Sequence, residues 1–179
     1  DSIHILFIIS RPYGENDVKY CTLARSLVDY IDQHNLSVTI DVLRPPTFDQ
    51  LRKVLRDRAG YYDIVHFDGH GGYGENEEAE KEENDVYSGS VNGKLIFETV
   101  HGTPDPIDTE ILSQLLAGYQ IPFMIMNACQ SGMIDGRVQD PFACVATGLL
   151  RAGIRGVVAM SYSLYVGGAR KFVPAFYES

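Results

Sequence analysis

The feature that most constrains the fold is an alternation of apolar, strand-like runs with amphipathic helical segments. The first run, Ile3–Ile9, is apolar apart from His4 and rich in β-branched residues, which is typical of a strand buried on both faces. Further strand-like runs follow at residues 38–43 and 63–67. This β-α-β-α-β order predicts an α/β fold, a three-layer α/β/α sandwich around a mostly parallel sheet.

The connecting segments have helical spacing and recognisable ends. From residue 17 to about 35, Leu23, Leu27 and Ile31 recur on one face, and Asp17 is a candidate N-cap. A second helix is predicted to begin after Thr47 and to end at Gly60.

The second half of the chain repeats the pattern. A hairpin is predicted at residues 90–100 with Asn92-Gly93 as its turn. A helix starting at Asp108 or Thr109 and ending at Gly118 follows. The remaining predicted elements are a fourth core strand at 121–126, a helix at 142–152, a fifth strand at 156–160 and a last helix at 169–177.

Composition excludes several classes of function. A chain of 179 residues that is 45% hydrophobic and 22% charged is typical of a soluble globular domain. Its formal net charge of -9 argues against nucleic-acid binding, and no apolar run is long enough to span a membrane. Three cysteines, an odd number far apart in sequence, do not form a disulfide framework, which favours a reducing, cytoplasmic setting.

Two segments place a reactive side chain close to glycine at the end of an apolar run. His70 follows the third strand, and Cys129 follows the fourth core strand. Ligands of an open parallel sheet bind beyond the carboxyl ends of its strands, so these residues meet at one rim if the strands are neighbours. A histidine base and a cysteine nucleophile are the minimum for cysteine-based acyl transfer, and the N–H groups of Gly71 and Cys129 are candidate oxyanion donors.

Cys129 and His70 also have less specific interpretations, because most buried cysteines are inert and many loop histidines only donate hydrogen bonds.

Other catalytic chemistries fit the sequence poorly. His66 and His70 are four apart, but no Glu follows His66 and the segment is not helical, so a zinc protease is not indicated. No CxxC pair, phosphate-binding loop or GxSxG motif occurs. We therefore expect no metal and no cofactor.

An acidic stretch interrupts the α/β pattern. Residues 75–85 contain seven acidic residues and one Lys, without the spacing of a calcium hand. Such a segment has little to bury, so we expect a mobile surface loop. Its position directly after His70 suggests a flap ordered by a partner or a cationic substrate, and an unselected insertion is the alternative.

The residues around Cys129 resemble a known family. Asn127-Ala128-Cys129-Gln130-Ser131-Gly132 is similar to the nucleophile segment of caspase-like cysteine peptidases, in which a His lies about 50 residues upstream. The closer match is the CHAT domain, a bacterial caspase- and separase-like peptidase often found with TPR repeats. Further segments that resemble this family are Ser10-Arg11-Pro12, the six residues from Leu43, the segment from Val65 to Gly71, and residues 152–162.

The resemblance implies the caspase-haemoglobinase fold and a His-Cys dyad. His70 would be the general base and acid, and Cys129 would form the acyl-enzyme. The P1 pocket would be built by Arg11, Asn127, Ser161 and Tyr162. Arg11 pairing with acidic loops and Asn127 capping a turn are the alternatives for those two residues. Family members are regulated by attached sensor domains or TPR repeats, and some work in bacterial defence.

Two functions therefore compete. One is a cysteine endopeptidase that cleaves a protein or peptide under control of an attached domain. The other is a catalytically silent interaction module with the same fold. A third interpretation, a flavodoxin-like small-molecule binder, is supported only by the sheet pattern. We expect residues 1–179 to form a single domain of a longer protein, because the chain starts with Asp1 and the family domain continues past Tyr177.

Overall fold

The protein is described by a computed structural model that covers residues 2–14, 17, 22–73, 93–128 and 141–160. The elements within these ranges, in chain order, are β1 (Ile3–Ile9), α1 (Thr22–His34), β2 (Val38–Val42), α2 (Phe48–Asp57), β3 (Ile64–Tyr73), β4 (Gly93–Glu98), β5 (Pro104–Asp108), α3 (Thr109–Gly118), β6 (Phe123–Ala128), α4 (Pro141–Arg151) and β7 (Gly156–Met160).

The sheet is mostly parallel, as predicted. Strands β2, β1, β3, β6 and β7 lie side by side in that order and all pair in parallel. Strand β3 continues past this region and pairs antiparallel with β4, which in turn pairs antiparallel with β5. The predicted neighbouring relationship between the third and fourth core strands is confirmed as the pairing of β3 with β6.

Helices cover both faces of the sheet and form two cores. On one face, Leu27 and Ile31 of α1 pack against Ile5, Phe7 and Ile9 of β1. On the other face, buried residues of α2, α3 and α4 pack against the alternate residues of the same strands. Because side chains alternate along a strand, a strand segment covered on both faces must be apolar throughout, which explains the uninterrupted apolar run Ile5–Ile9 in β1.

Helix α2 begins where the sequence predicts. The Thr47 hydroxyl accepts the backbone N–H of Gln50 at 3.1 Å, which is N-cap geometry. The helix ends at Asp57, and a short turn then leads to Gly60, whose φ of 73° lies in the left-handed region that glycine tolerates. The predicted boundary at Gly60 therefore belongs to the turn rather than to the helix.

The predicted hairpin turn at Asn92-Gly93 is wrong. The antiparallel pair is β4 with β5, and the chain turns between Thr99 and Thr103. Gly93 is the first residue of β4, where a Cβ atom would lie 2.5 Å from the carbonyl oxygen of Pro141. Glycine stands there because α4 approaches the strand closely, not because a turn requires it.

Other boundaries also shift. Strand β3 runs to Tyr73, so His70 lies within the strand instead of following it. Helix α1, as described, begins at Thr22, and residues 18–21 ahead of it fall outside the described residues, so the N-cap role of Asp17 stays a prediction. The predictions for residues 75–85, Cys129, Ser161, Tyr162 and the last helix fall outside the described residues. In the described part of the chain, no helix is long and apolar enough to cross a membrane.

Candidate functional site

The site is centred on the point where β3 exchanges its strand partners. Up to Asp68 and Gly69, β3 pairs in parallel with β1 and β6. From His70 onwards it pairs antiparallel with β4, with His70 opposite Ile96. His70 therefore sits at the carboxyl edge of the parallel sheet, which is where open α/β sheets bind ligands.

Strand alternation brings several polar residues to one face at this edge. Asp68 and His70 share the parity of Ile64, which packs in the core beneath α1. On β6, Asn127 has the parity of Ile125, which belongs to the same core. The Asn127 Nδ2 atom donates to Asp68 Oδ1 at 3.4 Å. The polar groups thus extend the α1 face of the sheet beyond its apolar part.

A buried ion pair lies next to this cluster. The Arg11 Nη2 atom is 2.8 Å from Asp68 Oδ2. The Arg11 Nη1 atom donates to the carbonyl oxygens of Ser10 and Asp68 at 2.8 and 2.7 Å. Arg11 and Asp68 are both buried. The Arg11 side chain therefore joins the end of β1 to the end of β3 through charge-assisted hydrogen bonds.

The segment after β1 is also attached to β4. The Ser10 hydroxyl donates to the Ile96 carbonyl at 2.8 Å, and the Arg11 backbone N–H donates to Glu98 Oε1 at 2.7 Å. Ser10 and Glu98 are buried. These contacts fix the path by which the chain leaves β1 and passes over the edge where His70 stands.

Burial changes the ionisation of two groups on β3. It raises the pKa of the Asp68 carboxyl, while the Arg11 guanidinium and the hydrogen bond from Asn127 oppose that shift. Burial also lowers the pKa of His66 to about 3. The His66 ring stacks on Phe7 with 4.2 Å between ring centroids. His66 is therefore a neutral core residue at physiological pH, as its position inside the strand suggests.

The His70 imidazole is held by a carboxylate. Its Nε2 atom contacts Asp17 Oδ1, and both side chains are buried, with relative exposures of 9% and 2%. The other carboxylate oxygen, Oδ2, accepts the backbone N–H of Tyr13 at 2.7 Å. The Tyr13 ring meets the His70 ring edge-to-face at 5.0 Å between centroids. This arrangement fixes both the position and the plane of the imidazole.

The described part of the chain brings together four of the predicted site residues, namely Arg11, His70, Gly71 and Asn127. Gly71 is packed tightly against Phe142 of α4, since a Cβ atom there would lie 2.5 Å from the Phe142 ring. Within the described ranges, no group of three or more His, Cys, Asp or Glu side chains could hold a metal ion.

The prediction from sequence missed two members of the site. Asp68 stands two residues before His70, and this spacing alone places both side chains on one face of a strand. Asp17 gave a weaker signal, because an Asp ahead of a helical pattern is equally typical of an N-cap. Its contact with His70 joins residues 53 positions apart, which no local pattern predicts.

The comparisons with known proteins agree with the fold. The family model of the CHAT domain matches residues 22–179. No curated protein matches the chain. With most of its length covered by that match, and with a mostly parallel sheet that carries a histidine at its carboxyl edge, the chain belongs to the CHAT domain family of caspase-like cysteine peptidases.

Proposed function

We propose that this protein is a cysteine endopeptidase in which His70 is the general base and acid and Cys129 is the nucleophile. The observation that carries the proposal is the register of β3 with β6, in which Ala128 lies opposite Gly69. The next residue on β3 is His70, and the next residue in the chain after Ala128 is Cys129. Consecutive Cα atoms are about 3.8 Å apart, so this register supports the proposal that Cys129 and His70 meet.

The parity of the strands supports the same pairing. Cys129 has the parity of Ile125 and Asn127, which lie on the α1 face of β6. His70 lies on that face of β3. If the alternation of β6 extends by one residue, the thiol and the imidazole share one side of the sheet edge.

The chemistry follows from these two groups. His70 accepts the thiol proton, and the Cys129 thiolate attacks the carbonyl carbon of the scissile peptide bond. The backbone N–H groups of Gly71 and Cys129 are the proposed donors to the resulting oxyanion. The tetrahedral intermediate collapses as the imidazolium returns its proton to the leaving amine. Water then adds to the thioester with His70 as base, and the acyl product leaves with the thiol reprotonated.

The proposed P1 pocket combines Arg11, Asn127, Ser161 and Tyr162. Asn127 suits this role best among the described residues, because it lies on the site face and is only partly buried. The guanidinium of Arg11 already contacts Asp68 and two carbonyl oxygens. Arg11 would therefore shape the pocket by holding Asp68, rather than by offering an uncompensated positive charge to an acidic substrate.

Substitution of the two proposed residues tests the function. A diverse peptide library is first digested with the chain, and the preferred sequence is made as a fluorogenic substrate. Cys129→Ala and His70→Ala should each abolish turnover without unfolding the domain. Cys144→Ala, a cysteine on α4, is the matched control and should cleave like the wild type. Near-wild-type turnover by either dyad variant would disprove the assignment.

A catalytically silent interaction module is the competing function. It predicts that a peptide-like electrophile labels Cys129 no faster than an ordinary thiol, whereas an activated cysteine reacts much faster.

As a peptidase, the protein would cleave a protein or peptide substrate, and an attached regulatory domain, such as TPR repeats or a sensor, would control cleavage. A cytoplasmic role in bacterial defence is part of the same proposal.

A further inference from the structure

The Asp17 carboxylate contacts the His70 imidazole and is itself held by the backbone of Tyr13. Its two oxygens have different partners: Oδ1 contacts His70 Nε2, and Oδ2 accepts the Tyr13 N–H. The Asp17 backbone N–H donates to the Gly14 carbonyl at 3.1 Å, which closes a tight turn. Gly14 has a φ of 61°, in the left-handed region that favours glycine. These contacts hold the carboxylate against the imidazole.

We infer that Asp17 is a positioning residue that converts the proposed dyad into a carboxylate–histidine–cysteine arrangement. The inference rests on the proposed function of His70 and Cys129. It does not come from the family match, which begins at residue 22, after Asp17. It follows from the buried contact between the carboxylate and the imidazole.

The carboxylate does two things for the reaction. By accepting the Nε2–H, it selects the neutral tautomer in which Nδ1 carries the lone pair, so that Nδ1 is the atom that takes the Cys129 proton. When that proton arrives, the ring becomes an imidazolium beside a buried negative charge, which stabilises the thiolate–imidazolium pair. A third group of this kind orients the base in other nucleophilic enzymes.

The Tyr13 N–H makes the inference sharply testable. In Asp17→Asn, the amide has one oxygen and one NH₂ group. A second N–H donor cannot face the Tyr13 N–H at 2.7 Å, so the amide oxygen takes this position and the NH₂ group is turned towards His70 Nε2. That donor forces the imidazole proton onto Nδ1, which is the tautomer that cannot accept the thiol proton. Asn should therefore fail despite having almost the shape of Asp.

The experiment compares Asp17→Asn and Asp17→Ala with wild type by kcat/KM on the profiled peptide and by the pH dependence of Cys129 alkylation. Both variants should lose about 100-fold or more in kcat/KM, with Asn no better than Ala. The acidic limb of the alkylation profile should move to higher pH. The control Asp49→Asn removes the charge of an Asp that is 94% exposed on α2, and it should change neither quantity.

A structural role would give a different result, because Asn preserves packing. If Asp17→Asn keeps wild-type kcat/KM and the wild-type alkylation profile while Cys129→Ala is inactive, the dyad stands and the inference is wrong. If the wild type neither cleaves nor alkylates above background, the proposed function fails. Proton NMR tests the hydrogen bond between Asp17 and His70 directly. The His70 Nε2–H should give a slowly exchanging resonance, which is assigned by its absence in His70→Ala. This resonance should also vanish in Asp17→Ala, and its persistence there would overturn the inference.

Discussion

The Arg11 guanidinium and the Asp68 carboxylate form a buried ion pair across the ends of β1 and β3, with Nη2 and Oδ2 2.8 Å apart. Both side chains are more than nine-tenths buried. Asp68 also accepts a hydrogen bond from Asn127, so the pair connects three adjacent strands at the edge that carries His70. Removing one partner leaves the other charge buried without compensation.

We expect Arg11→Met to lower the free energy of unfolding by about 3–5 kcal/mol at pH 7, because the Asp68 carboxylate loses its counter-ion. The loss should shrink at pH 5. Burial already raises the pKa of Asp68, and without Arg11 the carboxyl protonates still more readily, which removes the buried charge. Urea unfolding at both pH values measures the effect.

The matched control is Arg56→Met, which removes an exposed Arg from α2 whose Nε atom is 3.4 Å from Asp57. Exposed pairs contribute little, so the change should stay within about 1 kcal/mol at both pH values. Equal losses in the two variants would show that the Arg11–Asp68 pair has no special role in stability.

Asn127→Ala should change the preference for the P1 side chain of the peptide more than it changes stability. The side chain is partly buried, lies beside Asp68, and stands two residues before the proposed nucleophile. Library cleavage by the variant, compared with Gln114→Ala on the exposed surface of α3, measures this preference. An unchanged P1 profile would remove Asn127 from the pocket.

Protonation of His66 should contribute to acid unfolding. Burial lowers the pKa of His66 to about 3, from 6.5 for an unperturbed histidine. Above pH 6.5 His66 is neutral in both the folded and the unfolded chain, so the stability of the fold is not reduced by its protonation. Between pH 6.5 and 3 the unfolded chain binds a proton that the folded protein excludes, so stability falls as the pH drops, with a limiting slope of about 1.4 kcal/mol per pH unit.

His66→Phe removes this titration and keeps an aromatic ring against Phe7. Its free energy of unfolding should depend less on pH than that of wild type between pH 6 and 4. His101→Gln, in the exposed turn before β5, is the control. Wild-type pH dependence in His66→Phe would contradict the proposed origin of the acid sensitivity.

Gly71 and Gly72 offer a matched pair beside the site. A Cβ atom at Gly71 would lie 2.5 Å from the ring of Phe142, which is buried, whereas one at Gly72 would lie 3.4 Å from Ile96 Cδ1. Gly71→Ala should therefore cost about 1–3 kcal/mol from overpacking, and Gly72→Ala about 0.5 kcal/mol or less. Similar unfolding midpoints of the two variants in urea would show that α4 can move away from Gly71 at little energetic cost.

Much of the fold follows from the sequence because its signals are local. The uninterrupted apolar run Ile5–Ile9 in β1 requires cover on both faces, and the Thr47 cap is a contact between residues three apart. The hairpin prediction failed because Asn92-Gly93 has the composition of a turn, whereas Gly93 is needed for the close approach of α4. A packing requirement of that kind depends on a distant helix.

The candidate site divides in the same way. The sequence by itself determined that His70 lies beyond an apolar run, that Cys129 follows another, and that the segments around them resemble a peptidase family. Only the tertiary structure decided which distant groups meet at this edge of the sheet. Asp17 meets His70 across 53 positions of chain, and Arg11 meets Asp68 across 57, because parallel strands bring their carboxyl ends to one edge. Contacts of that range depend on strand order, which is decided by packing between segments far apart in the sequence.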